Sequence, residues 1–191
     1  LTFAAAILLS PAVMFAGNLE IGATAPAFSL TNATDGKTVS FEPGNGKVSV
    51  VVFTCNQCPY AKAFQPRLNA IATEYAAKGV QFYAVNPNDV EKAPVETLAD
   101  MKERAEAGNY PYPYLKDADS SVARAFGARV TPHVFVVDGA GKVRYRGYID
   151  DSAKPAQRTK TGLTNALDPL LCNKSVAETG RRVIGCTISD K

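Results

Sequence analysis

The 191 residues include no tryptophan, a single histidine and only four cysteines. No segment repeats, none is of low complexity, and charge of neither sign is gathered into a block. Twenty-one basic against eighteen acidic side chains leave a net charge of +3. That small surplus is scattered, whereas nucleic-acid binding calls for a clustered basic face, so no nucleic-acid partner is expected. No apolar run reaches the about 20 residues that a spanning helix needs, so no stable membrane span is expected either. The length suits one domain with a proper core and is too short for two large ones.

Charge is also missing from the opening stretch, LTFAAAILLSPAVMFAG. Interrupted by Pro11, it resembles the apolar core of a secretory signal peptide, with Ala16 and Gly17 near a plausible cleavage point. The chain begins without Met or a basic leader, so residues 1–17 read as the remnant of a signal peptide ahead of one domain at 18–191. The expected location is periplasmic or secreted. In such a compartment disulfides persist and need enzymes to manage them.

What the sequence does contain is a regular alternation. Residues 18–47 hold short alternating segments with a turn at Asp35-Gly36, the mark of a hairpin lead-in. VSVVVFT (48–54) is a continuous β-branched run, typical of a strand buried on both faces. Tyr60, Phe64, Leu68, Ile71 and Tyr75 then form one apolar helical stripe. Pro59 suits its first turn, and Pro66 is expected to kink it. VQFYAVN (80–86) is the next strand. A helix is predicted from Pro94 to Gly108, a short one after Asp119 or Ser120, a hairpin in VFVVDGAGKVRYRGY, and a last helix at 163–171. The order β-α-β-α-β-β-α predicts an α/β fold, a three-layer sandwich with a central mixed β-sheet flanked by helices.

That order sets Cys55-Asn56-Gln57-Cys58 where the first core strand enters a helix. The N–H groups and dipole of a helix N-terminus favour a thiolate there, by about 0.3–1 kcal/mol from the dipole alone. Cys55, at the strand end, is expected to be exposed and to attack a partner disulfide. Cys58, in the first helical turn, is expected to be sheltered and to resolve the mixed disulfide. Asn56, Gln57 and Pro59 are expected to modulate the pair.

VVVFTCNQCPY, with Val130-Thr131-Pro132 about 75 residues later, resembles the thioredoxin-fold family of thiol–disulfide oxidoreductases. More narrowly it resembles the exported AhpC/TSA-type redoxin branch. GATAPAFSLTNATDGKTVSF resembles that branch's lead-in, VNPNDVEKAPVET its insert, and YRGYIDDS with the Gly185-Cys186 tail its C-terminal segment. The resemblance implies a cis bond before Pro132, beside the cysteines. It implies that Thr131 and Pro132 offer a substrate-facing edge to client proteins bearing disulfides. No bound cofactor is implied, since the sulfur pair carries the electrons, which an upstream thiol reductase would supply. Asn56-Gln57 is uncharged, which favours the reducing direction.

The pattern also departs from thioredoxin. Thr54 and Ser49 stand where thioredoxin has a tryptophan and an acidic residue, so no carboxylate is evident to deprotonate Cys58. Peroxiredoxins place Pro and Thr where this chain has Val48 and Val52, which disfavours a thiol peroxidase. Two roles are open to His133, which follows Pro132. With Cys55 and Cys58 it would complete a copper(I) or zinc site, giving a metal-binding module; as a cation it would lower the Cys55 pKa. Cys172 and Cys186 could form a structural disulfide and are given no catalytic role.

Overall fold

A computed structural model describes residues 19–180 and 183–190. The expected signal segment, 1–17, lies outside the described residues. Strands β1 (Phe28–Asn32) and β2 (Thr38–Phe41) form the lead-in hairpin, turning through Gly36 at φ 71°. The β-branched run becomes β3 (Ser49–Phe53), with every residue buried. Helix α1 (Pro59–Ala76) follows and continues through Pro66 as one element. It leads to β4 (Gln81–Asn86), α2 (Leu98–Ala107), β5 (Tyr114–Lys116), α3 (Ser121–Phe126), β6 (Val130–Thr131), β7 (His133–Val137) and β8 (Val143–Gly147). The last elements are α4 (Gly162–Leu171) and β9 (Cys186–Thr187).

Seven strands make a mixed sheet in the order β2-β1-β5-β4-β3-β7-β8, with β3, β4 and β5 parallel and the other pairs antiparallel. Side chains alternate across a strand, so β3 serves two cores. Val50 and Val52 pack with Phe64 and Leu68 of α1, Met101 of α2 and Leu163 of α4. Val51 and Phe53 point the other way, to Phe41, Phe126 of α3 and Phe135. The rings of Phe53, Phe126 and Phe135 meet one another at 5.3–5.8 Å between centroids. This is the predicted layering, with the central strands hidden on both faces.

One helix start differs from expectation, and the other, that of α3 after Ser120, falls where predicted. Thr97 caps α2 in a capping box with Asp100, so the helix begins at Leu98 and not at Pro94. The reciprocal bonds satisfy two otherwise unpaired donors, and Pro94 cannot do that. At α3, Ser120 occupies the cap position in left-handed backbone but sends its hydroxyl to the Pro87 carbonyl. Buried Asp117 accepts from the N–H groups of Val122 and Ala123 instead, and Asp119 from that of Ser121.

Candidate redox site

The chain leaves β3 at Thr54, whose N–H still bonds to the Val85 carbonyl, and must turn at once into α1. The cysteines occupy this turn. Cys58 is itself the N-cap residue: its sulfur accepts the Ala61 N–H at 3.5 Å. Pro59 fills the first helical position, where a missing N–H costs nothing.

Thr131 holds both sulfurs. Its hydroxyl lies 3.2 Å from the Cys55 sulfur, and its carbonyl oxygen 3.1 Å from that of Cys58. The Thr131–Pro132 bond is cis, as the resemblance implies. The two sequence signals, about 75 residues apart, thus converge on one site. Thr131 does not, however, present a free edge. Register pairs it with Cys186, because β9 lies antiparallel on β6.

That arrangement overturns the expected exposure of Cys55. Both cysteines are only 2% exposed. Cys186 packs on the cluster of Cys55, Cys58 and Ala61. Cys172 is a separate exposed thiol at the end of α4, and the structure records no disulfide between it and Cys186.

A carboxylate that the sequence did not single out lies under the loop. Glu96 is fully buried and accepts from the backbone N–H of Asn56 (2.7 Å) and Gln57 (3.0 Å) and from the Asn86 side chain (2.7 Å). It lies in the VNPNDVEKAPVET insert beside Asp89 and Glu91, and nothing local distinguishes it from them. Asn56 is locked in turn, donating to the Val95 carbonyl and accepting from the Tyr114 hydroxyl. Gln57 is exposed beyond its backbone contact.

These contacts shape how the two sulfurs share one proton. Cys58 is lowered to about 4, first by the hydrogen bond from the Cys55 thiol, then, against the cost of burial, by the Cys186 thiol and the Ala61 N–H. Cys55 is pushed up, first because its proton is given to Cys58, then by burial and by the Glu96 charge, with the Thr131 hydroxyl opposing. As a thiol Cys58 donates to the Thr131 carbonyl, and the Ala61 N–H donates to its sulfur. The N–H groups of Asn56 and Gln57 are taken by Glu96. The helix N–H goes to Cys58.

His133 serves neither expected role. Its ring packs tilted against Phe135 at 4.5 Å between centroids, and its Nδ1 is buried without a hydrogen-bond partner. Burial, then the Arg146 charge, lowers its pKa to about 4, so it is neutral near pH 7 and no cation acts on Cys55. Among the described residues no three His, Cys, Asp or Glu side chains are arranged to hold a metal ion. Val52, where a peroxiredoxin would hold peroxide, is sealed in the core.

Beside Pro132 a cleft of about 710 Å³ opens between Tyr60, Phe64, Tyr148, Ile149 and Ile184. Asp150, Asp151, Lys160 and Glu178 add charge to its lining. Among the described residues no helix is long and apolar enough to cross a membrane.

Comparison with known proteins agrees with this geometry. A profile of the AhpC/TSA family matches residues 21–146. An uncharacterized conserved protein from Geobacillus kaustophilus has a similar crystal structure, with 40% identity, a TM-score of 0.85, and coverage of 91% of this chain and 93% of that one. Thiol-disulfide oxidoreductase ResA from Geobacillus thermodenitrificans is 27% identical over 66% of this chain and 68% of its own length. Thiol:disulfide interchange protein DsbE from Yersinia pestis is 29% identical over 66% of this chain and 63% of its own.

Proposed function

The chain belongs to the AhpC/TSA family and is a thioredoxin-like oxidoreductase, and from that premise we propose that it reduces client disulfides through Cys55 and Cys58 in an extracytoplasmic relay. The observation that carries the reading is Thr131, whose hydroxyl and carbonyl engage the two sulfurs at once, next to a cleft able to admit a chain.

A thiolate with a pKa near 4 is a weak nucleophile, since nucleophilicity falls as pKa falls. The pair holds one proton between its two sulfurs; in the form that reacts with a client disulfide that proton rests on Cys58, and the Cys55 thiolate attacks. One client sulfur bonds to Cys55 and the other leaves as a thiolate. That thiolate recovers the proton from Cys58, which then attacks Cys55. The second client thiolate is released, and Cys55–Cys58 is left as a disulfide. Two electrons have passed to the client, and an upstream thiol reductase restores the dithiol. Glu96 acts as a positioning residue, holding the Asn56-Gln57 turn that sets the distance between the sulfurs.

The relatives named ResA and DsbE support disulfide chemistry, and the uncharged Asn56-Gln57 supports the reducing direction. The leader-like first residues support export, as does the persistence of disulfides outside the cytosol. The test is the reduction potential of the couple together with trapping in Cys58→Ser, which cannot resolve a mixed disulfide. A potential below about −200 mV and trapped clients are expected; a value near about −120 mV, that of a strong oxidant, would reverse the direction. Turnover persisting in Cys55→Ser would remove the reading altogether.

A further inference from the structure

Cys186 has no part in the two-cysteine cycle, yet the fold delivers it to the reaction centre. Its strand β9 pairs with β6, and the paired residues are Thr131 and Cys186. The contact is unusually close. A β-carbon on Gly185 would meet the Thr131 carbonyl oxygen at 2.2 Å, so only glycine lets the tail backbone approach this far. The rest of the tail is clamped on both sides. The Ile188 N–H bonds to the Arg129 carbonyl, and Ser189 exchanges bonds with Asn88 and Asp89 at 3.0 and 2.7 Å. The result is three cysteines in one cluster, Cys186 resting on Cys55, Cys58 and Ala61.

An extended segment lying antiparallel on the edge at Thr131, with a cysteine against the redox pair, is what a docked client would look like. We infer that the C-terminal tail is an internal client: Cys186 is a third redox thiol that exchanges with the Cys55–Cys58 disulfide, and its strand occupies the client edge until a client displaces it. The inference rests on the disulfide-exchange reading above and adds a partner within the chain. The step begins from the oxidised protein. Cys186 gives up its proton and attacks the Cys58 sulfur; the Cys55–Cys58 bond breaks and Cys58–Cys186 forms. Cys55 leaves as a thiolate and takes the proton that Cys186 lost, in keeping with the high proton affinity of its buried site. One S–S bond replaces another, so no external oxidant or reductant is consumed.

The test is disulfide mapping of the full chain. Reduced protein is treated with one equivalent of diamide, quenched in acid, alkylated, and digested for mass spectrometry. Cys58–Cys186 is expected beside Cys55–Cys58 in the wild type, and as the main product in Cys55→Ser. Gly185→Ala is expected to lower the Cys58–Cys186 yield several-fold while Cys55–Cys58 still forms, and Cys172→Ser to leave the map unchanged. If Cys55–Cys58 forms but Cys186 remains fully alkylated in wild type and in Cys55→Ser, or pairs with Cys172, the internal client is refuted and the two-cysteine reading stands. If no Cys55–Cys58 bond forms in the wild type, the parent reading fails as well.

Discussion

Replacing His133 by Phe tests how the site treats charge beside Pro132. His133 sits on Phe135 with its Nδ1 buried and unpartnered. Its pKa falls from the ordinary 6.5 to about 4, through burial and then the Arg146 charge. At about 1.4 kcal/mol for each tenfold change in proton affinity, the folded state loses about 3 kcal/mol relative to the unfolded chain on acidification. The sign is that of a depressed base: the stability is present above pH 6.5 and is lost as the pH falls towards 4. Asp117 works the other way. Burial raises it from 3.8 to about 6, so the fold takes up that proton first and gains about 2 kcal/mol by pH 4. The other groups titrate alike in both proteins and only the His133 contribution is missing from His133→Phe, so the variant should gain about 3 kcal/mol on the wild type between pH 7.5 and pH 4. Urea unfolding of both proteins at the two pH values measures this. Equal pH dependence in the two would mean that His133 is protonated in the folded state, and the neutral-histidine argument would be wrong.

Three further outcomes follow from the same contacts. Thiolate absorbance near 240 nm should show one sulfur ionising near pH 4 in the reduced protein, and Cys55→Ala should move that step upward by removing the strongest donor to Cys58; a first ionisation near the ordinary 9 in the wild type would contradict the shared proton. Glu96→Gln sets an amide against three N–H donors and should cost about 2–3 kcal/mol in denaturant unfolding. It should also lower the Cys55 pKa, read from alkylation rate against pH, because a charge that opposes the thiolate is gone; an unchanged profile would separate Glu96 from the pair. Gly185→Ala should speed alkylation of the buried cysteines about tenfold or more at fixed pH, since opening a covered site of this kind is governed by local stability; an unchanged rate would mean that the tail does not cover them.

Much of the molecule was legible because its signals are local. VSVVVFT could only be a strand hidden on both faces, and both cores confirm it through alternate residues of β3. The stripe from Tyr60 to Tyr75 gave α1, and the cysteine spacing with Thr131-Pro132 gave the site. The misreadings share a different cause. Pro94 looks like a helix start, but the Thr97–Asp100 box is a better one, and sequence does not rank the two. Glu96 reaches Asn56 from 40 residues away, and no local pattern separates it from its acidic neighbours. Cys186 lies further still, past α4, and its pairing with Thr131 depends on how the tail returns across β6. The exposure of Cys55 was misjudged for the same reason, since a strand end looks open until the rest of the chain is laid over it.

Burial and acidity at this site are therefore one property. The tail that covers the sulfurs also supplies one of the donors that hold Cys58 near pKa 4. Displacing it does two things together. It opens the cluster to a client, and it removes a hydrogen bond from the Cys58 thiolate, so the proton affinity of the pair moves up towards neutral pH. A thiolate attacks a disulfide best when its pKa lies near the ambient pH. The closed protein thus holds its charge in a stable, poorly nucleophilic form, and uncovering the site raises reactivity beyond what access alone would give. Cys186→Ala, with the tail still paired to Thr131, separates the two effects. It should raise the first ionisation without exposing the pair, so the absorbance step moves upward while alkylation measured at a pH where Cys58 is fully ionised stays slow. If both move together, the tail acts only as a cover.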